Sequence, residues 1–339
     1  MPKYHLITFG CQMNKSDSER IVSVLEDKGY RLASRINEAD LILVNMCSVR
    51  QSAVDRVYGL ALKFQKLKTQ NPKLKTILTG CILPTDRKKL KNRFDSIANT
   101  KDLLEHYHVL MRGTVYIPVS NGCNWNCAYC VVPFTRGSLV CRNHQEILKE
   151  VKNAVKTGIK EIWLLGQNVN DYISKQKTKS KKQIINFAKL LKMVNETPGD
   201  FQIKFTSPNP ANFTDELIDT MAECEKAAHY LNLPVQSGDN QILKKMRRPY
   251  TVEQYKDLVR KIRSKIPDIN LSTDVIVGFP GETKKQFENT VKLFKEIKFN
   301  MAYIAKYSPR PGTSAFQMKD DVPLEEKKRR EKILRELIF

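Results

Sequence analysis

Short apolar strands that alternate with helices constrain the fold of this chain more than any other feature of its sequence. The first hundred residues contain three such strands, HLITFG, LILVNM and TILTG. A helix is predicted after the first strand, because Ser16 and Glu19 form a capping-box pattern and Gly29 stands at its end. A second helix is predicted from about Ser48 to Lys68. This alternation predicts a parallel sheet.

The rest of the chain repeats the alternation. From about Arg112 onwards there are six strand candidates, TVYIPV, EIWLLG, QIKFT, YLNLPV, NLSTDVIVGF and MAYIAKY. Six repeats predict an incomplete β/α barrel of the TIM type, whose reacting groups lie on loops after the C-terminal ends of the strands. The predicted fold class is α/β, with an N-terminal parallel-sheet domain over residues 1–110 and a partial barrel over residues 111–320. Residues 321–339 are predicted to form a basic amphipathic helix.

The balance of charge indicates a polyanionic partner. Lys and Arg outnumber Asp and Glu by 58 to 36, which gives a formal net charge of +22. Nucleic acid is the leading candidate, because phosphate contacts by Lys and Arg supply its sequence-independent affinity. Part of the excess is open to a simpler explanation, since one lysine-rich segment is predicted to be a mobile, solvated surface loop. That segment, SKQKTKSKKQ, contains Lys175, Lys177, Lys179, Lys181 and Lys182.

The cysteines are expected to be reduced thiols in a cytoplasmic protein. The sequence has neither a signal-peptide pattern nor a long uncharged apolar run, so no membrane association is predicted. In a reducing compartment, grouped cysteines are more often metal ligands than crosslinks. Cys141 and Cys224 stand apart from the groups and are predicted to be buried free thiols.

One group of cysteines points directly to chemistry. Cys123, Cys127 and Cys130, here called the barrel thiols, form a C-x3-C-x2-C pattern in the loop after the first barrel strand. Three thiolates leave one position of a metal centre open, which is where a substrate or cofactor binds. The alternative is a closed structural site, for which Cys141 is the nearby candidate fourth ligand. The segments GQNVNDY, PVQSGDNQ and GFPGE follow later barrel strands and are predicted to line the same mouth.

A second group of cysteines follows the strands of the first domain. Cys11, Cys47 and Cys81, here called the sheet-edge thiols, come directly after LITFG, LILVNM and TILTG. Neighbouring strands of a parallel sheet end on one edge about 5 Å apart, so these three residues are expected to converge on one centre. The alternative is three unrelated core cysteines.

These motifs together resemble a known family. The C-x3-C-x2-C loop is similar to that of the radical S-adenosylmethionine (SAM) enzymes, and TFGCQMN, NMCSVR and TGC resemble the three-cysteine signature of their methylthiotransferase branch. GCNWNCAYCVVPFTRG, LLGQNVNDY, LPVQSG, DVIVGFPGET and YSPRPGT resemble the members that act on isopentenylated adenosine in tRNA. The likeness runs from about Lys3 to Leu337.

The resemblance implies two 4Fe-4S clusters. The barrel thiols would hold one, with its fourth iron left for the amino and carboxylate groups of S-adenosyl-L-methionine, and the sheet-edge thiols would hold the other. One SAM molecule would methylate sulfur at the second cluster, and another would give the radical that removes hydrogen from C2 of the adenine. The implied substrate is the isopentenylated adenosine beside the anticodon, in the anticodon stem-loop of tRNA. A reductant such as flavodoxin or ferredoxin is also implied.

The matched loops supply candidate SAM-binding residues. Tyr129 resembles the family's aromatic position against the cofactor adenine, although a tyrosine there could instead pack on the barrel rim. The other candidates could instead make ordinary loop hydrogen bonds. They are Gln167, Asn168, Gln236, Ser237 and Arg248.

Two other functions and one departure from the family stay open at this stage. Threonylcarbamoyl-adenosine in tRNA is an alternative substrate, and a non-catalytic, zinc-stabilised RNA-binding protein is an alternative of a different class. The family continues past the basic helix into a small β-barrel that binds tRNA, called a TRAM domain. The residues after LEEKKRREKILREL are too few for such a barrel. Two explanations are left open: either the sequence is a shortened piece of a longer protein, or the basic body of the chain carries the contacts to RNA alone.

Overall fold

A computed structural model of the chain describes residues 1–49, 51–103, 113–177 and 182–338. The chain forms two compact units. The first consists of Met1–Tyr116 together with Val131–Gly137, and the second of Ile117–Cys130 together with Ser138–Phe339.

The first unit is built on a five-stranded parallel sheet. Its strands are β1 (Lys3–Thr8), β2 (Arg31–Leu32), β3 (Leu41–Cys47), β4 (Lys75–Cys81) and β5 (Ser96–Ile97). Its first three helices are α1 (Gln12–Asp27), α2 (Gln51–Gln70) and α3 (Pro84–Leu90). The sheet order is β2-β1-β3-β4-β5, and every pair of neighbours is parallel. The parallel sheet predicted from the alternation of strands and helices is therefore confirmed.

Apolar periodicity explains how these elements pack. Every residue of β3 is buried, as expected for a central parallel strand that is covered on both faces. On α2, Val54, Val57, Ala61 and Phe64 are buried and recur at helical spacing. These four side chains join the same core as the apolar residues of β3. Complete burial of a side chain such as Phe64 stabilises the fold by roughly 1.5–3 kcal/mol.

The predicted capping box at Ser16 and Glu19 is wrong. Helix α1 begins at Gln12, with Cys11 as its N-cap, so Ser16 lies inside the helix and its hydroxyl donates to the carbonyl of Tyr116 at 2.9 Å. The turn from strand to helix is tight, and Gly10 permits it, because a Cβ there would lie 2.4 Å from the Asn14 side-chain oxygen. The predicted glycine at the end of the helix is correct, since Gly29 follows α1 with φ +83°.

The second unit contains the six predicted barrel strands and further short strands. Its strands are β6 (Thr114–Pro118, which begins in the first unit), β7 (Ser120–Asn121), β8 (Val140–Cys141), β9 (Glu161–Leu165), β10 (Ile173–Lys177), β11 (Lys182–Asn186), β12 (Gln202–Phe205), β13 (Tyr230–Asn232), β14 (Asn270–Val277) and β15 (Met301–Lys306). The helices from here on are α4 (Val132–Thr135, in the first unit), α5 (His144–Lys156), α6 (Phe187–Asn195), α7 (Asp215–Glu223), α8 (Asn240–Lys245), α9 (Val252–Lys265), α10 (Lys284–Ile297) and α11 (Leu324–Arg335).

The barrel strands form two three-stranded sheets, in which β9 pairs parallel with β12, β13 with β14, and β14 with β15. Their orders are β6-β9-β12 and β13-β14-β15, and a parallel bridge from Ile203 to Ala227 joins β12 to the chain just before β13. All six strands predicted from the sequence are present. The prediction of a partial β/α barrel is confirmed.

The lysine-rich segment that was predicted to be a loop is a hairpin where the structure describes it. Strands β10 and β11 are antiparallel, with Lys175 opposite Ile184. Alternation accounts for the strand, because Ile184 is exposed and Ile185 is buried. Lys179 and Lys181 lie outside the described residues.

The basic C-terminal helix packs within the second unit. Arg330 and Lys327 of α11 are buried, and Arg330 pairs with Glu282 at 2.7 Å in the loop after β14. Lys327 pairs with Asp320 at 2.5 Å. Part of the positive charge of α11 is thus paired inside the fold. Within the described residues, no helix combines the length and apolar character needed to cross a bilayer.

Two candidate iron-sulfur cluster sites

The sheet-edge thiols lie at the carboxyl edge of the first sheet. Cys47 and Cys81 are the last residues of β3 and β4 and face each other in register. Cys11 follows β1, which neighbours β3 on its other side. Cys47 and Cys81 are buried, whereas Cys11 is exposed. The parallel register therefore brings all three thiols to one edge, and it leaves an approach from solvent at Cys11.

A pair of buried amides fixes the positions of these thiols. The Cys11 thiol donates to the Asn14 side-chain oxygen at 3.5 Å, and Asn14 Nδ2 lies 4.0 Å from Cys81 Sγ. Asn14 Nδ2 also donates to Asn45 Oδ1 at 2.9 Å, and Asn45 Nδ2 donates to the carbonyl of Asn14 at 2.8 Å. Both amides are fully buried, so each hydrogen bond is costly to lose. Neither residue was predicted from the sequence, although an Asn inside the apolar strand LILVNM is a visible signal.

The chemistry of the buried pair suits metal binding. A hydrogen bond from Cys81 lowers the pKa of the Cys47 thiol, while the same bond and burial raise the pKa of Cys81. One proton shared in this way favours a thiolate at Cys47, and the thiolate is the form that binds metal. Gly80 permits the close approach, because its φ is +110° and a Cβ there would lie 2.2 Å from the carbonyl oxygen of Met46.

An arginine also contacts this site. Arg136, in the Val131–Gly137 segment that packs in the first unit, donates from Nε to Cys81 Sγ at 2.9 Å and from Nη2 to Asp17 Oδ2 at 2.7 Å. Hydrogen bonds to ligand sulfur are a regular feature of iron-sulfur sites. Arg136 was not predicted as a site residue from the sequence, although it lies in the motif GCNWNCAYCVVPFTRG.

The barrel thiols lie in the loop after β6 and are half-buried. The Cys130 backbone N–H donates to the Cys127 carbonyl at 3.0 Å, which closes a tight turn. Arg248 Nη1 donates to Cys127 Sγ at 3.3 Å. Burial raises the pKa of Cys123, so a positive partner is needed to favour the thiolate state of this loop. A fixed guanidinium beside Cys127 meets that need.

A polar network supports the loop of the barrel thiols. Arg248 Nη2 donates to Asn209 Oδ1 at 3.0 Å, and the Asn209 backbone N–H donates to Asn168 Oδ1 at 3.2 Å. Asn168 and the indole of Trp125 both donate to Asp171 Oδ2 at 2.6 Å. Because Trp125 lies between Cys123 and Cys127, Asp171 ties the cysteine loop to the segment after β9. Asn209, Asp171 and Trp125 were not singled out from the sequence.

The remaining predicted SAM-binding residues differ in what their side chains contact. Gln167 Oε1 accepts from the Gly122 backbone N–H at 2.5 Å, next to Cys123. Gln236 has a left-handed φ of +69°, which is unusual for a non-glycine residue, and it is held by backbone hydrogen bonds to β14. Ser237 is fully buried, and its hydroxyl accepts from the Asp239 backbone N–H at 3.3 Å. The binding of SAM by these residues stays a prediction.

Tyr129 and the two separate cysteines complete the predicted set. Tyr129 packs against a buried cluster that includes Ala128, Met246 and Phe279, and burial raises its pKa well above the ordinary value. Cys141 lies on β8, and its sulfur accepts from the Ile173 backbone N–H at 3.4 Å. Cys224 is buried. Among the described residues, no group of three or more His, Cys, Asp or Glu side chains is spaced to hold a single metal ion. A cubane cluster requires a different spacing of its ligands, because each thiolate binds a different iron atom.

Both thiol groups fit a 4Fe-4S cluster by the chemistry of their surroundings. Each offers three cysteines, and each has an arginine N–H directed at one sulfur, Arg136 at Cys81 and Arg248 at Cys127. Such donors stabilise the negative charge that a cluster and its thiolates carry.

Two family models match different parts of the chain. Residues 117–294 match the Radical SAM superfamily, and residues 3–100 match the uncharacterized protein family UPF0004. The tRNA-2-methylthio-N(6)-dimethylallyladenosine synthase of Dehalococcoides mccartyi is 41% identical over 99% of this chain and 82% of its own length. The synthase of the same name from Neisseria gonorrhoeae is 38% identical over the whole of this chain and 84% of its own length.

Solved structures show the same fold at low sequence identity. The radical S-adenosylmethionine methyltransferase TsrM from Kitasatospora setae matches with a TM-score of 0.63 and 13% identity, over 93% of this chain and 77% of that chain. The cobalamin-dependent S-adenosylmethionine radical enzyme OxsB matches with a TM-score of 0.61 and 14% identity, over 98% of this chain and 56% of that chain. The family match and the sequence relatives establish that the chain belongs to the radical SAM superfamily and, within it, to the methylthiotransferase family of the tRNA-2-methylthio-N(6)-dimethylallyladenosine synthases.

Proposed function

We propose that this tRNA methylthiotransferase adds a methylthio group to C2 of N6-isopentenyladenosine beside the anticodon. In this proposal the barrel thiols hold the cluster that binds SAM, and the sheet-edge thiols hold an auxiliary 4Fe-4S cluster. The observation that carries the proposal is the convergence of the sheet-edge thiols, because Cys47 and Cys81 are in register and Asn14 contacts both Cys11 and Cys81. A radical SAM enzyme without an auxiliary centre has no need of that arrangement.

The chemistry of the substrate requires a radical route. The C2–H bond of adenine is unactivated and has no useful acidity, so a general base could not functionalise it at neutral pH. When bound, the clusters and SAM supply the electron, the carbon radical and the methylated sulfur for this reaction. The protein contributes by positioning the reactants and by excluding water from the site.

At the barrel mouth, a network of side chains holds the cysteine loop in position. Arg248 is charged at any working pH because a guanidinium has a very high intrinsic pKa, and it donates through Nη1 to Cys127 Sγ at 3.3 Å. Its Nη2 group is fixed by Asn209, which links it to Asn168 and Asp171. The cysteine loop is thereby held before any cofactor binds, which avoids an ordering cost at that step.

The charge of the chain supports a tRNA substrate. A net charge of +22 is suited to the phosphates of an anticodon stem-loop. We place the reaction in the cytoplasm, where tRNA and a reductant such as flavodoxin or ferredoxin would be available.

The test is anaerobic incubation of the reconstituted protein with SAM, a strong reductant and isopentenylated tRNA, followed by mass analysis of the nucleosides. The expected product is the 2-methylthio form of the isopentenylated nucleoside. Parallel reactions contain tRNA without the isopentenyl group and tRNA that carries threonylcarbamoyl-adenosine. Product only from the threonylcarbamoyl substrate, or no product when about eight irons per chain are present, would reject the substrate assignment.

A further inference from the structure

A buried ion pair lies beside the sheet-edge thiols. The side chains of Arg136 and Asp17 are 9% and 7% exposed and pair at 2.7 Å. Asp17 lies on α1, close in sequence to Asn14, and Arg136 follows the short helix α4. All of these residues belong to the first unit.

Stability alone gives a weak reason to bury this pair. Two charges in the interior lose their hydration, and apolar residues of similar volume often stabilise a fold as well or better. If the Arg136–Asp17 pair had only a packing role, the guanidinium would not need a hydrogen bond to a cysteine sulfur as well. Here the planar guanidinium is shared, since one edge faces the Asp17 carboxylate and Nε points to Cys81 Sγ at 2.9 Å. Asp17 thus holds Arg136 in the orientation that directs an N–H group at sulfur.

The electrostatic effect on Cys81 has a definite sign. Arg136 Nε lies 2.9 Å from Cys81 Sγ, and the positive charge of the guanidinium stabilises negative charge on that sulfur. An arginine stays protonated at any working pH, so its positive charge is permanent. A permanent positive charge in a poorly hydrated site interacts strongly with added negative charge.

We propose that Arg136, oriented by Asp17, is a positioning residue that raises the reduction potential of the auxiliary cluster through its hydrogen bond to Cys81. The inference rests on the proposed function, which places a 4Fe-4S cluster on the sheet-edge thiols. Reduction adds one electron to a centre that is already negative, and no proton is taken up, because Arg136 is protonated in both states. The N–H donor and the positive charge stabilise the reduced state more than the oxidised state.

The test isolates the auxiliary cluster in the full-length chain. The barrel thiols are replaced by alanine, the protein is reconstituted with iron and sulfide, and the iron is counted. The cluster is then titrated anaerobically with dithionite, and the reduced form is followed by electron paramagnetic resonance. Arg136→Gln and Arg136→Lys are compared in this background. The matched control is Arg142→Gln, because Arg142 forms another largely buried ion pair, with Glu150 at 2.9 Å, in the second unit.

The expected result is a lower potential in Arg136→Gln. The reduced-to-oxidised ratio at a fixed solution potential should fall at least tenfold, which corresponds to about 59 mV for one electron. Arg136→Lys keeps the charge but loses the planar fork, so its potential should lie between those of Arg136→Gln and the background. If the glutamine variant loses its iron, the lysine variant alone decides the question, by a potential lower than that of the background.

Four outcomes would overturn the inference. The first is an unchanged potential in Arg136→Gln with about four irons bound, and the second is an unchanged potential in Arg136→Lys if that variant alone decides. The third is an equal drop in potential in Arg142→Gln. The fourth is loss of iron from both Arg136 variants, which would make Arg136 a purely structural part of the site. A background protein that binds no iron is a different failure. It would show that the sheet-edge thiols do not hold a cluster, and the proposed function would fall first.

Discussion

Replacement of Arg330 by methionine should destabilise the second unit strongly, and more so as the pH rises. Arg330 lies on the C-terminal helix α11 and pairs through Nη1 with Glu282 Oε2 at 2.7 Å and with the Glu282 carbonyl at 3.0 Å. The Gly278 backbone N–H donates to the same carboxylate oxygen at 2.6 Å. The pair therefore fixes the GFPGE loop after β14, which was predicted to line the barrel mouth.

The magnitude follows from burial. The side chains of Arg330 and Glu282 are 3% and 1% exposed, so removal of the arginine leaves a carboxylate inside the fold without its countercharge. Loss of one partner from a buried pair costs about 3–5 kcal/mol. Arg329 provides the matched control, because its side chain is 52% exposed and it pairs with Glu326, a carboxylate that Arg330 Nε also contacts at 2.9 Å. Exposed pairs contribute about 0–1 kcal/mol.

The pH dependence has a definite sign. Burial already raises the pKa of Glu282 above its ordinary value, and Arg330 is one of the groups that lower it. Without Arg330 the folded-state pKa rises further above the unfolded value. Stability from a group with a raised folded-state pKa is complete below the unfolded pKa and is lost as the pH rises through the folded pKa. The variant should therefore lose more stability at neutral pH than at mildly acidic pH.

The assay is urea unfolding of both variants at neutral and mildly acidic pH, followed by the near-ultraviolet signal and by hydrogen exchange of α11 and β15. We expect a large loss of unfolding free energy for Arg330→Met at neutral pH, a smaller loss in acid, and little change for Arg329→Met. Similar losses for the two variants, or a loss for Arg330→Met that grows as the pH falls, would refute the reasoning.

Three other predictions concern the thiols and the RNA. Cys127→Ala should abolish formation of 5′-deoxyadenosine, measured by chromatography, whereas Cys47→Ala should spare cofactor cleavage and block sulfur insertion; equal loss of cleavage in two folded variants would contradict this division. Gly80→Ala should strain the backbone beside Cys81, because the new Cβ would lie 2.2 Å from the carbonyl oxygen of Met46. The iron content should fall from about eight to about four per chain, and full iron loading would count against that geometry. Binding of tRNA, measured by filter retention, should weaken steeply with salt, by roughly 10³–10⁵ between 50 and 200 mM if six to ten phosphates are contacted. A flat response would reject the electrostatic account.

The parts of the fold that follow from burial were predictable from the sequence. β3 is buried along its whole length and is apolar apart from Asn45. The barrel strands carry a different signal, because buried positions alternate with less buried ones along strands such as β6 and β15. Local sequence patterns gave a wrong prediction in two places. Ser16 and Glu19 have capping-box spacing, but the tight turn at Gly10 starts the helix earlier, and the lysine-rich segment hides the alternation that makes β11 a strand.

The supporting residues of the site were harder to predict because their partners are distant along the chain. Asn14 and Asn45 pair across 31 positions, and Arg136 reaches Asp17 across 119 positions. No local pattern reports such contacts. The cysteines could be predicted because strand register and spacing place them. The contacts of Asn14, Asn45 and Arg136 form only when the sheet edge is assembled.

The most direct test of the account is an iron count with Mössbauer spectroscopy on three anaerobically reconstituted proteins. They are the unaltered chain, the variant with the barrel thiols replaced by alanine, and the variant with the sheet-edge thiols replaced by alanine. The account predicts about eight irons for the unaltered chain and about four, with a cubane spectrum, for each variant. Zinc in place of iron, or a sheet-edge variant that retains all the iron of the unaltered chain, would contradict the claim that each group of thiols holds a cluster of its own.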